Sequence, residues 1–372
     1  MTGPLMQRLR KPALFALTIQ GLSGLIQVSA FVSLTGADYL SFSEAFLTGT
    51  ALSLLLVLNF ENEILGGAFS VAMRRYFLFF WVVGIADLLH AGLTHAAAPS
   101  FAAFAAWGVC SRMFLAWSSN RLPALAGTTV AGLAGLAALL SGAGLAIVML
   151  VAMAAFPLAA LRTEGPPAAP DSAVHTAVVA SARAFLAYLP HTLSGMLVTY
   201  VDRFVALKIV GGAPAESYLR AVQVCSWAAF LIYPVVFQTR SRLLQQRRLE
   251  PAATMRGGAA IAASLVLGLA TVLGALHLAG KAPDAGAMAF ALVLAALVCS
   301  QSYQVVSSLN FVERRFQTIN RITLISAVTV LALGFGLVPV LRTTESLAFV
   351  LLAGWLVQLA LTLASLRRQE SP

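Results

Sequence analysis

Five charged residues crowd into 199-TYVDRFVALKIVGGAPAESYLRAVQV-224: Asp202, Arg203, Lys208, Glu216 and Arg220. Only 10% of the chain is charged, so such a concentration asks for a chemical reason. A guanidinium in apolar surroundings grips carboxylate or phosphate oxygens through its planar fork. A carboxylate beside it can orient it or neutralise it. Asp202 and Arg203 lie about one turn inside the end of one apolar run and Arg220 about one turn inside the next, with Gly211-Gly212 between them. Two readings follow. Asp202 and Arg220 could close the hairpin as an ion pair, or Arg203 and Arg220 could line a cavity as cations for an anionic ligand.

Uncharged polar residues recur at helical spacing around this stretch. Tyr188, Thr192, Gly195, Thr199 and Asp202 fall on one stripe, and Arg220, Gln223 and Ser226 follow one another every three residues. Gln20, Ser23 and Gln27 share a face of the first apolar run, and Gln301, Gln304 and Ser308, with Ser300 and Ser307 beside them, mark a later one. Hydrocarbon offers these groups no partner, so they either line a wet cavity or bond across helices as packing contacts. Arg112, in 107-WGVCSRMFLAW-117, sits about 9 Å inside its run and is open to both snorkelling and cavity lining. Asp87 and His90 share a face at i, i+3 and could relay protons or simply satisfy each other; no metal is expected there. Ser41 and Glu44 have the spacing of a capping box.

The elements that must hold these residues are membrane helices. The chain is 59% hydrophobic with mean hydropathy +0.87, whereas soluble domains carry about 25% charged residues. A bilayer core about 30 Å thick needs roughly 20 apolar residues per helix. Placing one helix per apolar run predicts an all-α polytopic protein with about twelve spans, over 12–34, 41–60, 75–94, 101–118, 124–140, 144–161, 183–207, 216–238, 257–279, 285–308, 319–340 and 345–366. The run after MTGPLMQRLRK is longer than a signal-peptide core and is expected to stay as the first span. With both termini cytoplasmic, most Lys and Arg fall at inner breaks, as the positive-inside rule requires. The net charge of +10 is thereby read as topology, and no nucleic-acid partner is expected.

The Pro- and Ala-rich stretch 162-RTEGPPAAPDSAVHT-176 follows six predicted spans. It divides the chain into an N-terminal six-helix lobe (1–161), a cytoplasmic linker (162–182) and a C-terminal six-helix lobe (183–372), with a cavity expected between the lobes. At one common offset, Gly36-Ala37 matches Gly212-Ala213, Phe42 matches Tyr218 and Ala45 matches Ala221, as parallel repeats would. Pro190 and Pro234 interrupt the spans that flank the charged stretch and are expected to bend them.

Cys110, Cys225 and Cys299 lie in apolar runs without metal-ligand spacing. No phosphate-binding loop, zinc-protease motif or nucleophile elbow is present. No cofactor and no catalytic residue is therefore expected, and the chain is read as a non-enzyme.

The stretch VDRFVALKIVGGAPAESYLRAVQV resembles the middle of polysaccharide flippases of the multidrug/oligosaccharidyl-lipid/polysaccharide exporter superfamily, in the Asp202-Arg203 pair, Gly212, Tyr218 and Ala221. The segment 309-LNFVERRFQTINRITLISAVTVLALGFGLVPVL-341 is similar to that family's basic break and Pro-terminated eleventh helix. The resemblance implies a bacterial inner-membrane transporter that moves an undecaprenyl-pyrophosphate-linked oligosaccharide outward by alternating access. Its expected partners are that lipid-linked substrate, membrane lipids, and glycan polymerase or glycosyltransferases. The cavity residues that reading selects are Arg203, Arg220, Asp202, Arg112, Gln27, Thr199 and Gln223, with Asp87 and His90 as a proton relay. A multidrug or small-solute antiporter of the same fold and a membrane-embedded glycan-assembly enzyme are the alternatives. Cations outnumber acids among the embedded residues, which suits a pyrophosphate better than a cationic drug.

Overall fold

The computed structural model describes residues 24, 26–57, 60, 71–96, 98–118, 133–154, 171–231, 236, 239, 251–281, 283, 285–312 and 315–370. Among these residues there is no strand. The helices are α1 (Gly36–Leu56), α2 (Val71–Leu93), α3 (Phe101–Ser118), α4 (Leu145–Met153), α5 (Asp171–Val205), α6 (Gly212–Leu231), α7 (Pro251–Leu278), α8 (Ala287–Val312), α9 (Phe316–Gly336), α10 (Val338–Leu341) and α11 (Thr344–Glu370). Shorter helical stretches cover 26–33 and 133–140. Among the described residues, six helical segments are long and apolar enough to cross a membrane: Gly36–Leu56, Met73–Leu93, Arg256–Leu278, Ala287–Ser307, Gln317–Leu341 and Thr344–Leu366. The protein is an all-α, multi-pass membrane protein.

Helix α9 shows why the bilayer must be its solvent. It exposes Leu324, Ile325, Val328 and Phe335 while burying Thr323 and Ser326. Water would favour the reverse arrangement. Each buried hydroxyl is satisfied by its own helix, Thr323 donating to the Ile319 carbonyl at 2.9 Å and Ser326 to that of Ile322 at 3.0 Å. Burial of these groups is therefore inexpensive.

The chain divides into two compact units, Met1–Leu189 and Pro190–Pro372. In the first, α3 packs on α1 and α2, and α2 packs on α4. Glycine sets the α1–α3 approach. A Cβ at Gly49 would stand 2.5 Å from the Phe101 carbonyl oxygen, and one at Gly108 would strike the Ser53 side chain. Phe104 of α3 meets Phe42 and Phe46 of α1 edge-on, with centroids 5.6 and 5.4 Å apart. Trp81 donates its indole N–H to the Met153 carbonyl at 3.0 Å, tying α2 to α4. Tyr76 donates to the Leu56 carbonyl, one of the acceptors that a helix end leaves unfilled.

In the second unit α11 is central and packs on α8, α9 and α6, while α6 also packs on α7 and α8. The C-terminal half of α5 enters this unit through valines. Val198 meets the position of Gly354 on α11, and Val201 and Val205 meet that of Gly334 on α9.

The structure corrects several boundary expectations. Helix α1 starts at Gly36 with Thr35 as its N-cap, so Ser41 and Glu44 lie within the helix and form no capping box. Residues 171–182, expected as linker, are helical and continuous with α5, which runs through Pro190 without ending. Residues 1–23, 119–132, 155–170 and Pro234 lie outside the described residues, and with them Gln20, Ser23 and much of the first, fifth and sixth predicted spans.

Candidate functional site

The charged stretch folds as the end of α5, a π-helical segment Ala206–Val210, and the start of α6. The π segment closes with Gly211 N–H donating to the Ala206 carbonyl at 2.8 Å. The backbone there follows i, i+5 bonding, a rare geometry that is frequent at functional sites. Gly211 and Gly212 both adopt positive φ, +65° and +57°. That backbone suits glycine and turns the chain sharply enough for α6 to pack beside the π segment.

Asp202 lies at the centre of this hairpin, with its side chain 0% exposed. Its Oδ2 accepts a hydrogen bond from the Tyr218 hydroxyl of α6 and stands 3.9 Å from Arg203 Nε. That distance gives attraction without a hydrogen bond. Asp202 Oδ1 and Arg203 Nε are both buried with no hydrogen-bond partner among the described residues. The Arg203 guanidinium lies 5.5 Å from the centroid of the Tyr200 ring, within cation–π range.

Arg220 does not pair with Asp202, as one of the two readings would have it. Its Nε and an Nη each bind Glu216 Oε1 at 2.9 Å, one helical turn back along α6. The Asp202–Arg220 clasp is therefore not formed. Arg220 is held by the i, i+4 neighbour that its own helix supplies, and Tyr218 occupies the Asp202 oxygen that a clasp would need.

The other expected residues are distributed as follows. Thr199 donates to the Gly195 carbonyl at 2.8 Å, and Ser226 to that of Val222 at 2.7 Å, so both hydroxyls are satisfied by their own helices. Gln223 is buried on α6. Gln27 and Arg112 are half-buried in the first unit, and each has a partner. On α8, Ser300 and Ser307 are buried and Gln304 is exposed.

Asp87 serves a structural purpose. Its carboxylate accepts from the Ser100 backbone N–H at 3.0 Å and the Ser100 hydroxyl at 2.9 Å. The Ser100 Oγ in turn accepts from Ala102 N–H at the start of α3. The exposed His90 ring makes no hydrogen bond to Asp87, so no relay is assembled between them. The described residues contain no group of three or more His, Cys, Asp or Glu that could hold a metal, and the three cysteines are free.

A second polar cluster lies inside the C-terminal unit. The Thr323 hydroxyl lies 3.3 Å from His191 Nδ1 and accepts from Gln358 Nε2 at 3.3 Å. The Tyr303 hydroxyl adjoins Thr323, Gln358 and Ser307. Thr323 also donates to the Ile319 carbonyl at 2.9 Å. Gln358 Oε1 is buried and has no hydrogen-bond partner among the described residues. This cluster joins four helices through residues far apart in the chain. Only Ser307 belongs to the polar rows visible in the sequence, and no spacing rule connects the rest.

Comparison with protein-family models, with curated proteins and with solved structures finds no match for this chain.

Proposed function

We propose that this protein is a membrane exporter that carries an oligosaccharide, linked through pyrophosphate to a polyprenol such as undecaprenol, across the bacterial inner membrane. Arg203 is the cation that receives the pyrophosphate. One observation carries this reading: Arg203 keeps 22% of its side chain exposed, the Asp202 carboxylate that faces it is 3.9 Å away, and its buried Nε has no hydrogen-bond partner among the described residues. A guanidinium in that condition favours an acceptor that brings several oxygens at once, as a pyrophosphate does. A cationic substrate would instead need a carboxylate to spare, and the Asp202 carboxylate already faces Arg203 and Tyr218.

The same reading gives the chain twelve spans, six on each side of the Pro-rich stretch at 162–176, with both termini in the cytoplasm. Reporter fusions at the two termini and after each span test that topology. The substrate role is tested by glycan export per molecule of inserted protein. Arg203→Ala should lower it at least tenfold and Arg203→Lys should recover only part, because lysine keeps the charge and loses the fork. Wild-type export by Arg203→Ala would overturn the assignment.

A further inference from the structure

We propose that Asp202 and Arg203 form a proton-linked anion site: one proton taken up by the Asp202 carboxylate releases Arg203 to bind one anionic phosphate group. This rests on the reading of Arg203 given above and adds the ion that accompanies the substrate.

The geometry of the pair is the starting point. A structural Arg–carboxylate pair ordinarily makes at least one short charge-assisted hydrogen bond, often two. Asp202 and Arg203 make none between them, although they are adjacent and the carboxylate is fully buried. Among the described residues, Oδ1 of the one and Nε of the other have no hydrogen-bond partner. The charges balance while the hydrogen bonding of neither group is complete. A proton on the Asp202 carboxylate, which accepts from Tyr218 and faces Arg203 without a hydrogen bond, removes the negative charge that the guanidinium balances. The same event leaves the guanidinium without a counter-ion in a low-dielectric setting, which is unfavourable until another anion arrives. Each binding event therefore favours the other, as linkage requires.

The exchange balances in atoms and charge. An Asp202 carboxylate facing an Arg203 guanidinium, plus a proton and one phosphate negative charge, becomes an Asp202 carboxylic acid and a guanidinium–phosphate pair. The site begins and ends neutral. The Arg203 side chain is 22% exposed whereas that of Asp202 is 0% exposed, so the cation is the member that a ligand can reach.

The surroundings leave these two groups in control. From α6, Tyr218 faces Asp202, Glu216 is engaged by Arg220, and Cys225 is a buried thiol near Tyr218. Lys208, in the π segment, is exposed. Where α9 and α11 meet the last turns of α5 they bring Gly334 and Val350. Helix α10, which packs on the π segment, contains no titratable residue. Glu345 of α11 lies beside Gly286, and Arg342 donates to the Pro339 carbonyl.

The test measures inorganic pyrophosphate binding to the full-length protein in detergent by titration calorimetry, in buffers of different ionisation heat. Wild type should take up one more proton per bound pyrophosphate than Asp202→Asn, and its affinity should fall about tenfold per pH unit above the carboxyl's midpoint. Asp202→Asn should bind at high pH as tightly as wild type does at low pH. Equal proton uptake by the two proteins, with both binding, would overturn the linkage and leave the substrate reading intact. Absence of an Arg203-dependent pyrophosphate signal in wild type would overturn both. Should Asp202→Asn fail to insert, Tyr218→Phe keeps the carboxylate and removes its donor. The pH midpoint of binding should then rise by about one unit, and an unmoved midpoint would overturn the proposal.

Discussion

The Tyr218 hydroxyl donates to the Asp202 carboxylate across the hairpin, 16 residues away in the chain, and this bond joins α5 to α6. A hydrogen bond to a buried charged group is worth about 1.5–3 kcal/mol. Tyr218→Phe should lower stability by that amount, measured by thermal unfolding of the purified protein. The charge-swapped pair Asp202→Arg with Arg220→Asp should remain unstable, since those residues do not pair. The swap Glu216→Arg with Arg220→Glu should recover most of what either single change loses, because those two do.

The α1–α3 contact should be the least tolerant of added volume. Gly49→Ala places a methyl against the Phe101 carbonyl and Phe104, and overpacking of this kind costs about 1–3 kcal/mol. Gly274→Ala on α7 has open space at the same position. It should be neutral or slightly stabilising because it stiffens the unfolded chain. Unfolding temperatures in detergent compare the two directly.

Thr323 and Gln358 should respond unequally to loss of polarity. Thr323→Val removes the hydroxyl that Gln358 Nε2 donates to and that faces His191, at about 1–3 kcal/mol for buried polar groups left short of a hydrogen bond. Gln358→Leu also removes an oxygen that already lacks a hydrogen-bond partner among the described residues, so its cost should be the smaller. Equal losses would show that the cluster contributes packing alone.

Asp87→Ala should cost about 1 kcal/mol, as the loss of a helix-start anchor does. His90→Ala should stay within about 0.5 kcal/mol, like other exposed substitutions. Export by His90→Ala should keep the wild-type pH profile; a changed profile would restore the relay.

The legibility of the fold followed the strength of the apolar signal. The α3 helix opens at Phe101, where the sequence places it, because the apolar run starts abruptly after Pro99-Ser100. Helix α5 begins at Asp171, ahead of the expected 183, because its first turns are polar enough to read as linker, and hydropathy marks membrane thickness without marking where a helix stops. At the site, the Glu216–Arg220 pair was available from i, i+4 spacing alone, yet opposite charge drew Arg220 toward Asp202. Tyr218 stands out in the sequence only as the match to Phe42 and as part of the resemblance, with no spacing that ties it to Asp202. Its hydroxyl became significant only when the Gly211-Gly212 turn set it beside a carboxylate.

Gly36 and Gly212, matched in the sequence offset, open α1 and α6 with the same φ of +57°. A Cβ at Gly36 would meet nothing within 4 Å, and one at Gly212 would touch only Pro214 Cδ at 4.0 Å. What bars a side chain is handedness, since L-residues lose about 1–2 kcal/mol in this conformation. At both positions glycine stands in for a mirror-image amino acid. A semisynthetic protein with D-alanine at 36 or at 212 should therefore keep its fold where L-alanine loosens it, and it should do so equally in either half.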